Sequence, residues 1–142
     1  NKKMISFNYE TDFQLSNEAK ISSWITKIIE HHNCKQDEIS YVFCDDEYLH
    51  RLNVQYLNHD TLTDIISFDY SMGKTISGDI FISVERVEDN AKDFEVDFST
   101  ELHRVIIHGI LHYCGFKDKT EDDSKLMRAK EDEALLILKE MS

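Results

Sequence analysis

His108 and His112 stand four residues apart in the stretch Val105-Ile-Ile-His-Gly-Ile-Leu-His-Tyr-Cys-Gly115. On an α-helix this spacing puts both imidazoles on one face, one turn or about 6 Å apart along the axis. Two imidazoles so placed can converge on one divalent ion. Gly115 follows three residues after His112; it can take a positive φ, end the helix and fold the chain back over the last turn. Asp118 then comes within reach. The pattern His108-x3-His112-x5-Asp118 offers two nitrogens and one carboxylate oxygen. It leaves a fourth position open for water, as catalytic zinc sites do and structural ones do not. The pair also lies near a helix C-terminus, where the dipole favours a cation.

The helix that must carry this pair runs from Phe98 to about Tyr113, with Ser99 as the expected cap. Glu101, Arg104, His108 and His112 fall within about 40° of one line, and nearly everything else is apolar, His103 excepted. A solvated face reads the same way: His-x3-His occurs there too, and Glu101 with Arg104 would suit an exposed ion pair. The glycine and the downstream carboxylate favour the metal. A zinc peptidase uses Glu directly after the first His as general base. Here that residue is Gly109, which disfavours peptide or amide hydrolysis. Imidazole plus carboxylate suits Zn²⁺ and tolerates nickel, cobalt or iron.

The elements that must position this helix follow from periodicity. Met4–Tyr9 and Glu38–Cys44 alternate as strands, and Thr63–Tyr70 and Ser77–Val84 are two more, joined by a turn containing Gly73. A helix capped by Ser16 or Asn17 carries Ile21, Trp24, Ile25, Ile28 and Ile29 on one face and stops near His31-His32-Asn33. Asp45 or Asp46 caps a short helix through Leu49, Leu52 and Tyr56. Val84–Phe94 and Glu121–Met141 are helical, the last through Leu126, Met127, Ala134, Leu135 and Leu138. The expectation is a single α+β domain over residues 1–142, a mixed sheet of about four strands packed with about five helices, and a metal site at the C-terminal end of a buried helix. His31, His32 and His50 have no ligand spacing, Trp24 belongs to the core, Cys114 is a small buried hydrophobe, and Asp64 and Asp79 suit turns or caps.

Composition narrows the partners. The 142 residues hold 16 Lys and Arg against 28 Asp and Glu, for a net charge of −12. That excludes a general nucleic-acid coat, which needs a broad basic surface, but not a small basic cleft. Pro is absent and Gly occurs 4 times, so flexible or Pro-rich tethers are ruled out. No apolar run approaches the ~20 residues of a membrane helix, and no secretory signal is visible. Three cysteines without a CxxC spacing suit a reducing cytoplasm.

The stretch His108-Gly-Ile-Leu-His112-Tyr-Cys-Gly115-Phe116-Lys-Asp118 resembles the signature of the YbeY family, HGxLHLxGYDH. Thr63-Asp-Ile-Ile-Ser-Phe68 and Gly78-Asp-Ile-Phe-Ile-Ser83 are also similar to family segments, as is Leu52-Asn53 with Tyr56 and Asp60. The likeness runs from about Ser40 to Leu138. It implies a zinc-dependent, single-strand-specific endoribonuclease acting in 16S rRNA maturation and ribosome quality control. It further implies contact with ribosomal RNA, the small subunit and a ribosomal protein or assembly GTPase. Two departures matter. The family's third His ligand corresponds to Asp118, giving a His2Asp set with one less unit of net charge. The Arg that the family usually carries after the Tyr of Leu-Asn-x2-Tyr is Leu57, so its role cannot be carried over; His59, Arg104, Lys117 and Lys119 are the nearby basic residues, and Lys117 and Lys119 flank the ligand and could hold a phosphate. The attacking group is a zinc-activated water or the ribose 2′-hydroxyl. The alternatives are a non-catalytic, metal-stabilised assembly factor and a zinc hydrolase of another substrate class.

Overall fold

Alternating apolar residues build four strands in the computed structural model, which describes residues 4–57 and 63–141. They are β1 (Ile5–Tyr9), β2 (Lys35–Cys44), β3 (Ile65–Asp69) and β4 (Thr75–Ser83). The helices are α1 (Glu18–His31), α2 (Asp46–Leu57), α3 (Val84–Phe94), α4 (Phe98–Tyr113) and α5 (Glu121–Glu140). The strands form one mixed sheet in the order β1-β2-β4-β3: β1 with β2 and β2 with β4 run parallel, and β3 runs antiparallel to β4. This is the expected α+β architecture. β2 starts three residues earlier than its alternation suggested. Asp64 precedes β3, while Asp79 lies inside β4 rather than at its start.

The two-residue period decides which face meets which helix. Ile39, Tyr41 and Phe43 of β2 and Ile76, Ile80 and Ile82 of β4 are buried on one face, in one core with Trp24, Ile106, Ile110 and Met127. Each such side chain is worth about 1.5–3 kcal/mol relative to exposure. On the other face Cys44 and Ile66 meet Leu49 of α2, with Phe81 against them. Trp24, fully buried, donates its indole N–H to the Ala134 carbonyl at 2.8 Å and so ties α1 to α5. His103 packs edge-on against that indole. Among the described residues no helix is long and apolar enough to cross a membrane.

Two tyrosines tie helix α4 to the sheet. The Tyr41 hydroxyl donates to the Ile106 carbonyl at 2.9 Å, and the Tyr113 hydroxyl donates to Phe68 O at 3.0 Å. Gly78 makes the second contact possible: a Cβ there would sit 2.3 Å from Tyr113 Oη and 2.4 Å from Phe68 O. The start of α4 differs from expectation. Asp97, in extended backbone, occupies the cap position and makes no side-chain cap bond, so Ser99 lies within the first turn. Asp45 does cap α2, accepting from Tyr48 N at 2.9 Å. Thr120 caps α5 through Asp123 N at 3.0 Å.

Candidate active site

The end of α4 is a Schellman turn, and it delivers the third donor. Gly115 N donates to His112 O and Phe116 N to Leu111 O, both at 3.0 Å, while Gly115 takes φ +106°. That is the left-handed closure expected of a glycine just past a helix. It reverses the chain and brings Asp118 over the last turn. The His108 and His112 Nε2 atoms are 3.0 Å apart, and each lies 3.2 Å from Asp118 Oδ2. A tetrahedral ion with bonds of about 2.0–2.1 Å has ligand–ligand edges of about 3.3 Å. The three donors thus match one face of such a site in spacing and in chemistry. His108, His112 and Asp118 are the three residues that spacing had singled out, and the fold brings all three together.

Behind them stands a residue that sequence reasoning missed. Glu131 of α5 is 5% exposed, and its Oε2 accepts from His108 Nδ1 at 2.6 Å. Holding that proton on Nδ1 leaves the Nε2 lone pair facing His112 and Asp118, the form a metal requires. Arg104 does not pair with Glu101 on the surface, as expected above. It reaches across to α5, donating to Glu131 Oε1 at 2.9 Å and to Asp132 Oδ1 at 2.8 Å. Burial works against the Glu131 charge, but the bonds from His108 and Arg104 outweigh it and hold the carboxyl below its ordinary value. Burial likewise pulls the His108 imidazole down, yet the Glu131 hydrogen bond and charge, with Asp118 and Asp64, leave it above 6.5. The signal for Glu131 was available: Met127, Glu131, Ala134 and Leu138 are the buried residues of α5, spaced i, i+4, i+7, i+11. A carboxylate in the middle of a buried stripe needs a partner.

The donors open on a cleft of about 520 Å³ between α4, α5, α3 and the loop before β3. Asp64 faces it, accepting from Asn90 Nδ2 at 3.4 Å, so it is more than a turn residue. Glu101, buried rather than solvated, is beside it. Burial raises both carboxyls, and the Asp64 charge raises Glu101 further. Arg128 and the half-exposed Phe94 ring also line the cleft. Lys117 and Lys119 are exposed and not part of this wall; Leu57 is partly exposed at the end of α2. His59 and Asp60 lie outside the described residues.

Gly109 explains the missing glutamate. A Cβ at that position would stand 3.0 Å from Ile80 Cδ1 and 3.3 Å from Ile65 Cδ1. The residue after His108 therefore points into the sheet, where a glutamate would be both crowded and buried without a partner.

The whole chain has close relatives. A family sequence model described as endoribonuclease YbeY matches residues 5–139, further toward the N-terminus than the motifs alone reach. The Flavobacterium johnsoniae protein named endoribonuclease YbeY is 64% identical over 134 residues, covering 94% of this chain and 96% of that one. The Parabacteroides distasonis protein of the same name is 48% identical over 134 residues, covering 93% and 94%. A Thermotoga maritima protein solved in solution shares the fold, with a TM-score of 0.68 at 24% identity over 95% of this chain and 89% of that one.

Proposed function

Because the chain belongs to the YbeY endoribonuclease family, we propose that it is a zinc-dependent, single-strand-specific endoribonuclease whose metal is held by His108, His112 and Asp118. The observation that carries this reading is the convergence of three donor atoms, 3.0–3.2 Å apart, at the wall of a cleft. A divalent ion in that place supplies Lewis acidity toward a phosphodiester. The chain's own residues do the rest. Glu131 fixes the His108 tautomer, Arg104 holds Glu131 in place, and Arg128 offers the cleft a positive charge for a phosphate. Asp64 and Glu101 bring carboxyls whose proton affinity is raised by burial, the direction required of a group that returns a proton to a leaving oxygen. Products ending in a 2′,3′-cyclic phosphate would identify the ribose hydroxyl as the attacking group; a linear phosphate would point to water.

We further assign the protein to 16S rRNA maturation and ribosome quality control in the cytoplasm. Family resemblance supports that assignment. The net charge of −12 supports a protein partner as well, a ribosomal protein or assembly GTPase on the small subunit, because an acidic surface attracts RNA weakly on its own.

The test is cleavage of a single-stranded RNA by the wild type and by His108→Ala, with metal stripped and restored. Loss of cleavage in a variant that keeps its circular dichroism and melting transition is the expected result. Cleavage that survives both the substitution and the chelator would remove the metal from the reaction. One observation favours a second reading, an assembly factor without catalysis: Leu57 stands where the family usually carries an Arg. The same experiment decides, since a wild type that binds metal and never cuts RNA would leave only that role.

A further inference from the structure

We propose that His31, His32 and Glu133 form a second site for a borderline divalent ion such as zinc, clamping the end of α1 to α5. His31 Nε2 lies 3.0 Å from Glu133 Oε1, and one donor atom from each of the three residues falls within 4.8 Å of the others. Two imidazoles and a carboxylate suit zinc and its neighbours better than calcium or magnesium.

The arrangement arises from the way α1 ends. Adjacent residues of a helix do not face each other. His32, however, is the C-cap, with φ −97° and ψ 17°, and has left the helix. Its ring turns to within 4.9 Å of the His31 ring. The group lies at the C-terminal end of α1, where the helix dipole favours a cation. On one side the Phe116 ring packs edge-on against His32 at 5.0 Å and forms an apolar wall. Lys130 already approaches the Glu133 carboxylate, at 3.9 Å. Its flexible stem lets it withdraw toward solvent when an ion of higher charge takes that place. The His31 and Glu133 side chains are 46% and 41% exposed, so both have room to rotate toward one ion beside His32. Through Phe116 the clamp adjoins the turn that carries Asp118, two residues on.

This inference does not depend on the reading of the cleft, and the experiment separates the two. Untagged, metal-stripped full chain is titrated with Zn²⁺, and bound metal is counted after equilibrium dialysis. The wild type is expected to hold two equivalents, His108→Ala one, Glu133→Gln one, and the double variant none. Glu133→Gln and His31→Ala change surface side chains, and a melting curve verifies that each stays folded. A single equivalent in the wild type that His108→Ala abolishes would overturn the second site and keep the cleft. A single equivalent that Glu133→Gln abolishes and His108→Ala retains would keep the second site and overturn the cleft. Two equivalents retained in both His31→Ala and Glu133→Gln would also overturn the proposal.

Discussion

Among the described residues, two groups of two histidines and one carboxylate stand together, both at the last turn of a helix. The group on α4 is His108, His112 and Asp118; the group on α1 is His31, His32 and Glu133. Their donor sets are nearly the same, and what surrounds them is not. Behind His108 stands a buried carboxylate, itself gripped by an arginine, and in front lies a cleft of about 520 Å³. Around the outer group there are solvent, Lys130 beside Glu133, and the Phe116 ring edge-on to His32. The difference teaches that donors decide whether an ion can be held, while the next layer of side chains and the shape of the surface decide whether it can meet a substrate.

The largest effect that would break this contrast is on stability. Glu131→Ala removes a buried carboxylate from both His108 and Arg104, and Arg104 is only 16% exposed. Breaking such a pair leaves a poorly solvated charge, and the expected loss is about 3 kcal/mol in denaturant unfolding of the metal-free protein. Glu133→Ala breaks an exposed contact and is expected to cost less than about 1 kcal/mol. Equal losses would mean that the two carboxylates are equivalent.

Next comes chemistry. Residues that orient a metal-bound imidazole typically contribute 10–100-fold in metal affinity or activity. Glu131→Gln keeps the volume and loses the charge, so zinc affinity in the cleft and RNA cleavage should each fall by about that factor. Glu133→Gln should move cleavage by no more than a few-fold while removing one equivalent of bound metal. Zinc titration and initial cleavage rates on the same preparations make the comparison.

The sequence made the inner group legible because all its donors come from one continuous segment. Helical period placed His108 and His112 on a face, and one glycine bend accounted for Asp118. The sheet and helices were legible for the same local reason, down to Ile39, Tyr41 and Phe43 alternating on one strand. Everything that arrives from a distant segment was harder. Glu131 comes from α5 and was hidden in a stripe read only for its apolar members. Arg104 was assigned a neighbour on its own helix, whereas its partners lie across the groove. His31 and His32 were set aside because adjacent histidines share no helical face; the capping turn that brings them together, and Glu133 about a hundred residues later, are tertiary facts. Asp97 stands at the cap in place of Ser99 because the chain enters the helix two residues earlier, and it makes no side-chain cap bond.

Alkaline titration separates the core from both histidine groups. Ordinary imidazoles and carboxylates finish titrating below about pH 8, so any stability lost above that reports other residues. Burial and then the Glu18 hydrogen bond push Tyr9 up to about 12. Burial and then Asp45 and Asp46 push the Cys44 thiol up to about 12, and burial raises Tyr41 as well. A group whose folded value is raised contributes stability that is full below its unfolded value and is lost as pH rises through the folded one. The protein should therefore hold its stability to about pH 9 and lose it progressively toward pH 12. Tyr9→Phe should shift the midpoint upward, and removal of zinc should not move this limb. Melting temperature against pH, with and without chelator, would expose a metal-dependent alkaline transition if the core were not its source.

The smallest effect distinguishes the cations beside each group. Arg104 is bonded at both ends and acts on Glu131. Arg128 lines the same cleft with a side chain 58% exposed, its Nε 3.7 Å from Glu131 Oε1, and can reach a phosphate. One phosphate contact on single-stranded RNA contributes about 0.7 to the slope of log affinity against log salt. Arg128→Ala should reduce that slope by about this amount and raise KM with little change in kcat, weakening binding evenly across sequences. Lys130→Ala, beside the outer histidines and away from the cleft, should leave the slope unchanged. If both substitutions lower it equally, the RNA path extends over the α1–α5 surface, and the two groups serve one substrate rather than two purposes.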